Sequence, residues 1–479
     1  MSPVRDTGNN TNDMLDIFEE KKIFKIEAQN AAVAKRRPIS NGMRNLVNAV
    51  LIFCCLLLPS SIFFLPSVIS AADAIQASLT LGDAEQSAEN HSQRLKSLKY
   101  EQKAAEERSS YQKTLGYPKL ALDGSYRYIT SVQEITLPIP NSNPVKFGDN
   151  SNYSIGPLLT WTAWDSGGVF NAHKSATAAA EARKNEAEAM RRQVVFSARS
   201  AYFQLALAGE QVMLYADALK LSSAQYEDIR INVRAGTKSR ADELKAHQEV
   251  LARMKQLRQT QADMASALSD LSALTGAEYA QPKLESLDSM LGRFEPYMDS
   301  KLDEKHPALE VFAKSAEASG YAAKSAGSGN WPKVQLSAKS SMDYPNGTKL
   351  ESYNQNTFSA TLNWALFEFG AVKNRVNESE NAMSAGLQRR GQALSDFRRD
   401  WAKTMEQLSN LRDQKKMNEI SVAETDELSK IIYKTYKSGS ISFLEVENVN
   451  FKALEAKIQS ARTKVQMLMN LAVIANLAE

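Results

Sequence analysis

Twice in this chain about 65 residues run without a proline and almost without glycine, from Val169 to Arg234 and from Ala371 to Lys437. At 1.5 Å per residue each stretch makes a helix of roughly 100 Å, too long for any compact domain of ordinary size. The 479 residues would by length alone suggest several globular domains; the two rods predict an elongated molecule instead. Apolar residues recur at helical spacing, as in Val194, Val195, Ala198, Ala201, Tyr202, Leu205 and Ala208, with Glu, Lys, Gln and Arg between them. Many of them are alanines, which let helices approach closely and suit a coiled-coil-like sheath of packed rods.

The rods belong to a repeated unit. "GYPKLALDGSY" at Gly116 matches "NWPKVQLSAKS" at Asn330, with Pro118 against Pro332, a shift of 332 − 118 = 214. "TWTAWDSGGVFNAH" and "NWALFEFGAVKNR" align Gly167 with Gly370, and "VRAGTKSRADELK" and "YKSGSISFLEVEN" align Gly236 with Gly439, both shifted by 203. Each copy reads as helix, strand, loop, strand, very long helix, Gly-centred turn, helix. The copies span 81–276 and 305–477, with 277–304 as a proline-bearing connector that holds one short helix. The loop between the strands is longer in the first copy.

Four strands are predicted, at about 119–129, 152–164, 333–344 and 356–367. Each alternates strictly: Leu120, Leu122, Tyr126 and Tyr128 oppose Ala121, Asp123, Ser125 and Arg127, and Phe358, Ala360, Leu362 and Trp364 oppose Thr357, Ser359, Thr361 and Asn363. Alternation over about ten residues with aromatics near the ends fits a strand between lipid and water. A half-buried strand in a soluble sandwich shows the same pattern. In lipid, four strands cannot close a barrel, and an open edge leaves backbone groups unpaired at several kcal/mol each. Other chains must then supply the missing strands. Pro157 is out of keeping with a central strand unless the ladder is interrupted there.

Before the repeats, "NLVNAVLIFCCLLLPSSIFFLPSVISAADA" follows Arg44 and ends in small residues, the layout of a secretory signal peptide. A membrane helix has a similar apolar length, but Pro59 and Pro66 interrupt this one. Residues 1–74 are thus expected to be an extension plus signal peptide, with Met43 a conventional start for it. Both cysteines, Cys54 and Cys55, fall inside, so the exported chain is expected to carry neither disulfides nor metal thiolates. Lys+Arg 58 against Asp+Glu 55 gives no pull toward nucleic acid. With 4 His and no HExxH, CxxC, Walker or dinucleotide motif, no catalysis, cofactor or metal is expected. His91 and His306 align between the copies and read as ordinary helix caps.

The duplicated order, "YPKLALDGSY", the "WDSGG" and "FEFGA" joints, the two Gly-centred tips and "LSALTG" together resemble the TolC-like outer-membrane efflux protein family over 81–477. The resemblance implies a mixed α/β membrane fold: a homotrimer whose chains give four strands each to a twelve-stranded outer-membrane barrel, continued by long helices as a periplasmic α-barrel. It implies an exit duct for small molecules or proteins, working with a periplasmic adaptor and an inner-membrane pump in tripartite efflux or type I secretion. Gly167 and Gly370 become the strand-to-helix joints, and Gly236, Thr237, Lys238, Gly439, Ser440 and Ile441 the adaptor-docking tips. Glu445, Asn448 and Asp242 fall at the pore constriction, although Glu445 and Asp242 are equally well placed as first-turn carboxylates that stabilise helix N-termini. Ile441 replaces a basic residue that braces the tip in the family, which leaves Lys238 and Arg240 as substitutes from the first copy. A periplasmic coiled-coil adaptor or structural protein with a small soluble sandwich is the competing reading.

Overall fold

The computed structural model describes residues 79–478, except 137, 140–142 and 281. The expected extension, signal peptide and both cysteines lie outside the described residues. The first copy comprises α1 (Leu81–His91), α2 (Gln93–Thr114), β1 (Lys119–Tyr128), a short hairpin β2 (Glu134–Ile135) and β3 (Val145–Lys146), β4 (Ser151–Trp164), α3 (Gly168–Arg234) and α4 (Arg240–Thr275). After α5 (Leu287–Phe294) the second copy follows, with α6 (Pro307–Gly327), β5 (Lys333–Tyr344), β6 (Tyr353–Asn363), α7 (Ala371–Lys437) and α8 (Phe443–Ala478). The long helices are both 67 residues and their partners both 36. Their starts keep the sequence shift, 371 − 168 and 443 − 240 both giving 203. The extra loop of the first copy forms the β2–β3 hairpin.

The sheet runs β1-β4-β5-β6, all neighbours antiparallel, and places the two copies side by side across the β4–β5 pair. Its register sorts the side chains by polarity. Leu120 sits opposite Leu159, Trp161 opposite Leu336 and Ala338 opposite Phe358 on one face. Ser125 sits opposite Ser154, Thr162 opposite Gln335 and Ser337 opposite Ser359 on the other. Pro157 is tolerated because the β4–β5 ladder skips Gly156 and Pro157. Gly156 is needed there: a Cβ would stand 1.9 Å from the Ser340 carbonyl oxygen. β6 ends at Asn363, not at 367, and begins earlier, at Tyr353. Asn363 already pairs with Lys333, the first residue of β5, so nothing remains for 364–367 to bond.

Two α-left residues stand at each joint, Ser166 (φ 55°) with Gly167 (φ 80°), and Phe369 (φ 49°) with Gly370 (φ 83°). A glycine takes this conformation at no steric cost, which is why one closes each pair. At the first joint Asp165 takes up the loose amides, its Oδ2 accepting from Val169 N at 2.6 Å and its Oδ1 from Gly167 N at 3.1 Å.

Below the sheet α2, α3, α6 and α7 lie side by side; further down α4 packs on α3, α3 on α8, and α8 on α7. The core sits around the connector, where Tyr202, Phe203 and Leu205 of α3 meet Leu468, Leu471 and Ile474 of α8 and Met290 and Phe294 of α5. Phe203 meets Phe294 edge-on, 5.7 Å between centroids. Tyr202 Oη donates to the Leu79 carbonyl at 2.6 Å and accepts from Glu285 N at 3.1 Å. His306 does cap α6, its Nδ1 accepting from Ala308 N, while its Nε2 faces the Asn476 carbonyl at 3.0 Å. His91 differs from expectation: it is the last residue of α1, and Ser92 caps α2 through its Oγ and the Leu95 amide. Among the described residues no helix is long and apolar enough to cross a membrane.

Burial, and then the charge of Arg192, hold the His306 pKa below its ordinary value. A base whose pKa is lower in the folded chain stabilises it only while neutral; that contribution is complete above about pH 6.5 and is lost as pH falls below it. The thermal midpoint is therefore expected to fall between pH 7.5 and 5.5, and less steeply in His306→Asn, which keeps a cap acceptor without titrating; equal slopes contradict this. Gly156→Val is expected to break the β4–β5 pairing and lower the thermal midpoint by several degrees, an outcome that a wild-type midpoint in the variant would refute.

Candidate channel tip and sheet

At the far end from the sheet both long helices close in the same way. Gly236 N donates to Val233 O and Thr237 N to Asn232 O; in the second copy Gly439 N donates to Tyr436 O and Ser440 N to Thr435 O. Each is a Schellman turn built on an α-left glycine. Ser239 then caps α4, its Oγ accepting from Asp242 N at 3.1 Å. Asp242 and Glu445 both stand in the first turn of their helices, which is the position for offsetting the helix dipole. Glu445 and Asn448 are exposed and one turn apart, and no hydrogen bond or ion pair joins them to Asp242 among the described residues.

Under these turns lies a small apolar cluster of Ile229, Ala246, Tyr436, Phe443 and Val446, with Ile441 packed against it. Ile441 thus serves packing where a charge was expected. Lys238 supplies the charge from the first copy: its Nζ donates to the Tyr436 carbonyl at 2.9 Å and stands 4.0 Å over the Tyr436 ring. Arg240 does not share this role, because it is engaged by Glu243 of its own helix at 2.5 Å.

The brace that sequence reading missed is centred on Asp228. Its Oδ2 accepts from Tyr433 Oη at 2.7 Å and from Lys437 Nζ at 2.8 Å, tying α3 to α7. The bond to Lys437, then that to Tyr433, pull the Asp228 pKa down, so the carboxylate is charged throughout the neutral range. Burial first, and then the bond to Asp228, push the Tyr433 pKa up. Burial, followed by the charges of Asp242 and Asp228, pushes Tyr436 up to about 12. Both phenols stay neutral; Tyr433 donates to Asp228, whereas the buried Tyr436 hydroxyl has no hydrogen-bond partner among the described residues. A turn higher, Asn450 Nδ2 donates to Gln225 Oε1 at 3.0 Å and its Oδ1 accepts from Ser429 Oγ at 2.6 Å. The bonds of Asp228 to Tyr433 and Lys437 and of Asn450 to Gln225 cross between the copies, and aligning the copies cannot find them: by the 203 shift Asp228 matches Ile431, which carries no charge.

The sheet is the second element. Its apolar face is uncovered within one chain: Phe358 is 83% exposed, Leu122 75% and Leu120 71%. Its outer strands β1 and β6 each leave one edge unpaired among the described residues. Trp161 and Trp364 stand at equivalent places near the joints, each indole donating to a backbone carbonyl, of Gly116 and Asn330, at 3.0 and 3.1 Å.

Compared with known proteins, residues 84–277 and 300–478 match the family model described as outer membrane efflux protein. No curated protein sequence matches. Among solved structures the fold is similar to CusC, with 14% identity, 83% of this chain and 92% of that one covered, and a TM-score of 0.67. It is likewise similar to VceC of Vibrio cholerae, with 16% identity, 83% and 96% covered, and a TM-score of 0.66. The MtrE channel of Neisseria gonorrhoeae gives 14% identity, 83% and 88% covered, and a TM-score of 0.65.

Asp228→Ala removes two braces at once. Given roughly 1 kcal/mol for a hydrogen bond, amide exchange across 430–442 is expected to quicken at least about fivefold, with the strands unaffected; unchanged exchange contradicts the brace.

Proposed function

The chain belongs to the outer membrane efflux protein family, and from that premise we propose that three copies of it form one exit duct. The observation that carries this reading is the four-stranded sheet, with one exposed apolar face, one polar face and two free edges. Four is even, so the β1 strand of a second copy runs antiparallel to β6 of the first and continues the same ladder. Three copies supply twelve strands, and the last edge meets the first. Closure satisfies every backbone group, which hydrocarbon demands. The apolar faces then turn to lipid and the polar faces to a water-filled lumen.

The helices extend that lumen away from the membrane into the periplasm. In each chain the lower helices order as α4-α3-α8-α7, so α4 and α7 are the open flanks. Leu244, Leu251 and Met254 of α4, and Ile420, Leu428 and Ile431 of α7, are exposed there. Pairing α4 of one copy with α7 of the next covers both apolar stripes. The tip turns at Gly236–Lys238 and Gly439–Ile441 face the adaptor of an inner-membrane pump, and Asp228 with Tyr433 and Lys437 holds the tip narrow. Three Glu445 carboxylates about the axis, with Asn448 and Asp242 near them, make the entrance prefer cations. The duct moves its cargo, small molecules or proteins, without chemistry of its own. The adaptor alternative fares worse, because it leaves the apolar face of the sheet and both edges without a covering.

The purified protein is expected to fractionate with outer membranes, require detergent, and conduct in planar bilayers. Recovery in the soluble periplasm overturns the duct. Glu445→Ala is expected to lower the cation preference by severalfold in reversal-potential measurements; unchanged selectivity leaves Glu445 with the helix-end role alone.

A further inference from the structure

Between the sheet and the core, α2, α3, α6 and α7 together line one groove of about 1020 Å³. Its floor is alanine, serine and glycine, so it offers space but no large apolar wall. Four cations reach it from four different elements: Arg108 of α2, Arg183 of α3, Lys333 at the start of β5, and Arg375 of α7. The carboxylates lining it are Glu368 and Glu378. Glu186 engages Arg183 at 2.6 Å. Arg108, Lys333 and Arg375 have no ion pair among the described residues.

Lys333 tells which side of the chain the groove occupies. It stands opposite Asn363 and alternates with Val334, which stands opposite Leu362, so it belongs to the polar face of the sheet. That face also carries Lys119, Arg127 and Lys339 against Asp123 and Asp343, and only Lys339 is ion-paired, to Asp123 at 2.5 Å. Groove and polar face therefore meet at Lys333; together they carry seven basic side chains against the carboxylates of Glu368, Glu378, Asp123 and Asp343, with Glu186 and Glu101 beside Arg183, and five of the seven cations have no ion pair among the described residues. Charge of one sign on a concave wall focuses the field into the water it encloses.

We propose that this surface is an anion-binding collar in the membrane half of the duct, which holds the phosphate or carboxylate groups of a multiply charged permeant. The proposal rests on the duct reading, since that reading turns the polar face to the lumen and brings three collars together around it. Guanidinium groups suit the role because each presents planar paired donors to an oxyanion. The collar selects by charge and not by apolar shape, and it lies at the opposite end of the duct from the Glu445 entrance. Cargo thus meets carboxylates first and guanidinium groups last.

The test is block of single-channel current in planar bilayers by inorganic tripolyphosphate, added on the sheet side of the full assembly. Reversible block of the wild type is expected. The blocking constant should rise at least tenfold in the Arg108→Gln, Arg375→Gln double variant and return close to wild type when both positions carry Lys. Both arginines serve no ion pair, so the double variant is expected to assemble, and its conductance reports whether it has. A conducting wild type that tripolyphosphate does not block, or a double variant blocked as well as wild type, overturns the collar and leaves the duct intact. A wild-type protein that never conducts overturns the duct, and the collar with it.

Discussion

Backbone groups in hydrocarbon have no water to bond, and the rest of this molecule is arranged around that constraint. One chain offers four strands, an apolar face and two open edges. Each half of the gene-encoded duplication supplies two of those strands and two helices that leave the membrane. Pairing halves within a chain removes one pair of edges, at β4–β5. In the proposed duct, pairing chains removes the remaining ones, and three chains supply the twelve strands that close the ring.

At the joints a strand spacing must become a helix spacing within two residues. Consecutive α-left residues do this by turning the chain sharply, and both copies use them at the same offset. The copies then diverge in how they secure the bend. The first has Asp165 on the loose amides, whereas the second, at the free flank beside β6, has Leu366, Phe367 and Phe369 uncovered. The same divergence appears at the tips, where Lys238 in one copy compensates for Ile441 in the other. Duplication set the frame, and the copies differ in the side chains that secure its bends and tips.

Much of this frame was legible in the sequence. The proline-free runs locate α3 and α7, since proline and glycine are the residues that end a helix, and the two-residue alternation locates the strands because one face must be apolar. The limit of β6 was not legible: Trp364 and Leu366 continue the alternation, but a strand stops where its partner stops, and β5 begins at Lys333. The brace at Asp228 was hidden for a related reason. It joins residues 205 apart in sequence that occupy different places in their repeats, so neither periodicity nor repeat alignment marks it. The charged groove was hidden because four elements distant in sequence contribute one cation each. Long-range polar contacts of this kind depend on which helices lie side by side, and local pattern does not encode that.

In the proposed duct the free edges of β1 and β6 meet between chains. Native mass spectrometry of the protein extracted from membranes in mild detergent measures this most directly. It should show three copies held together, with masses of one and two copies appearing only as the assembly is dissociated. A single chain, stable and soluble once the detergent is removed, would contradict it.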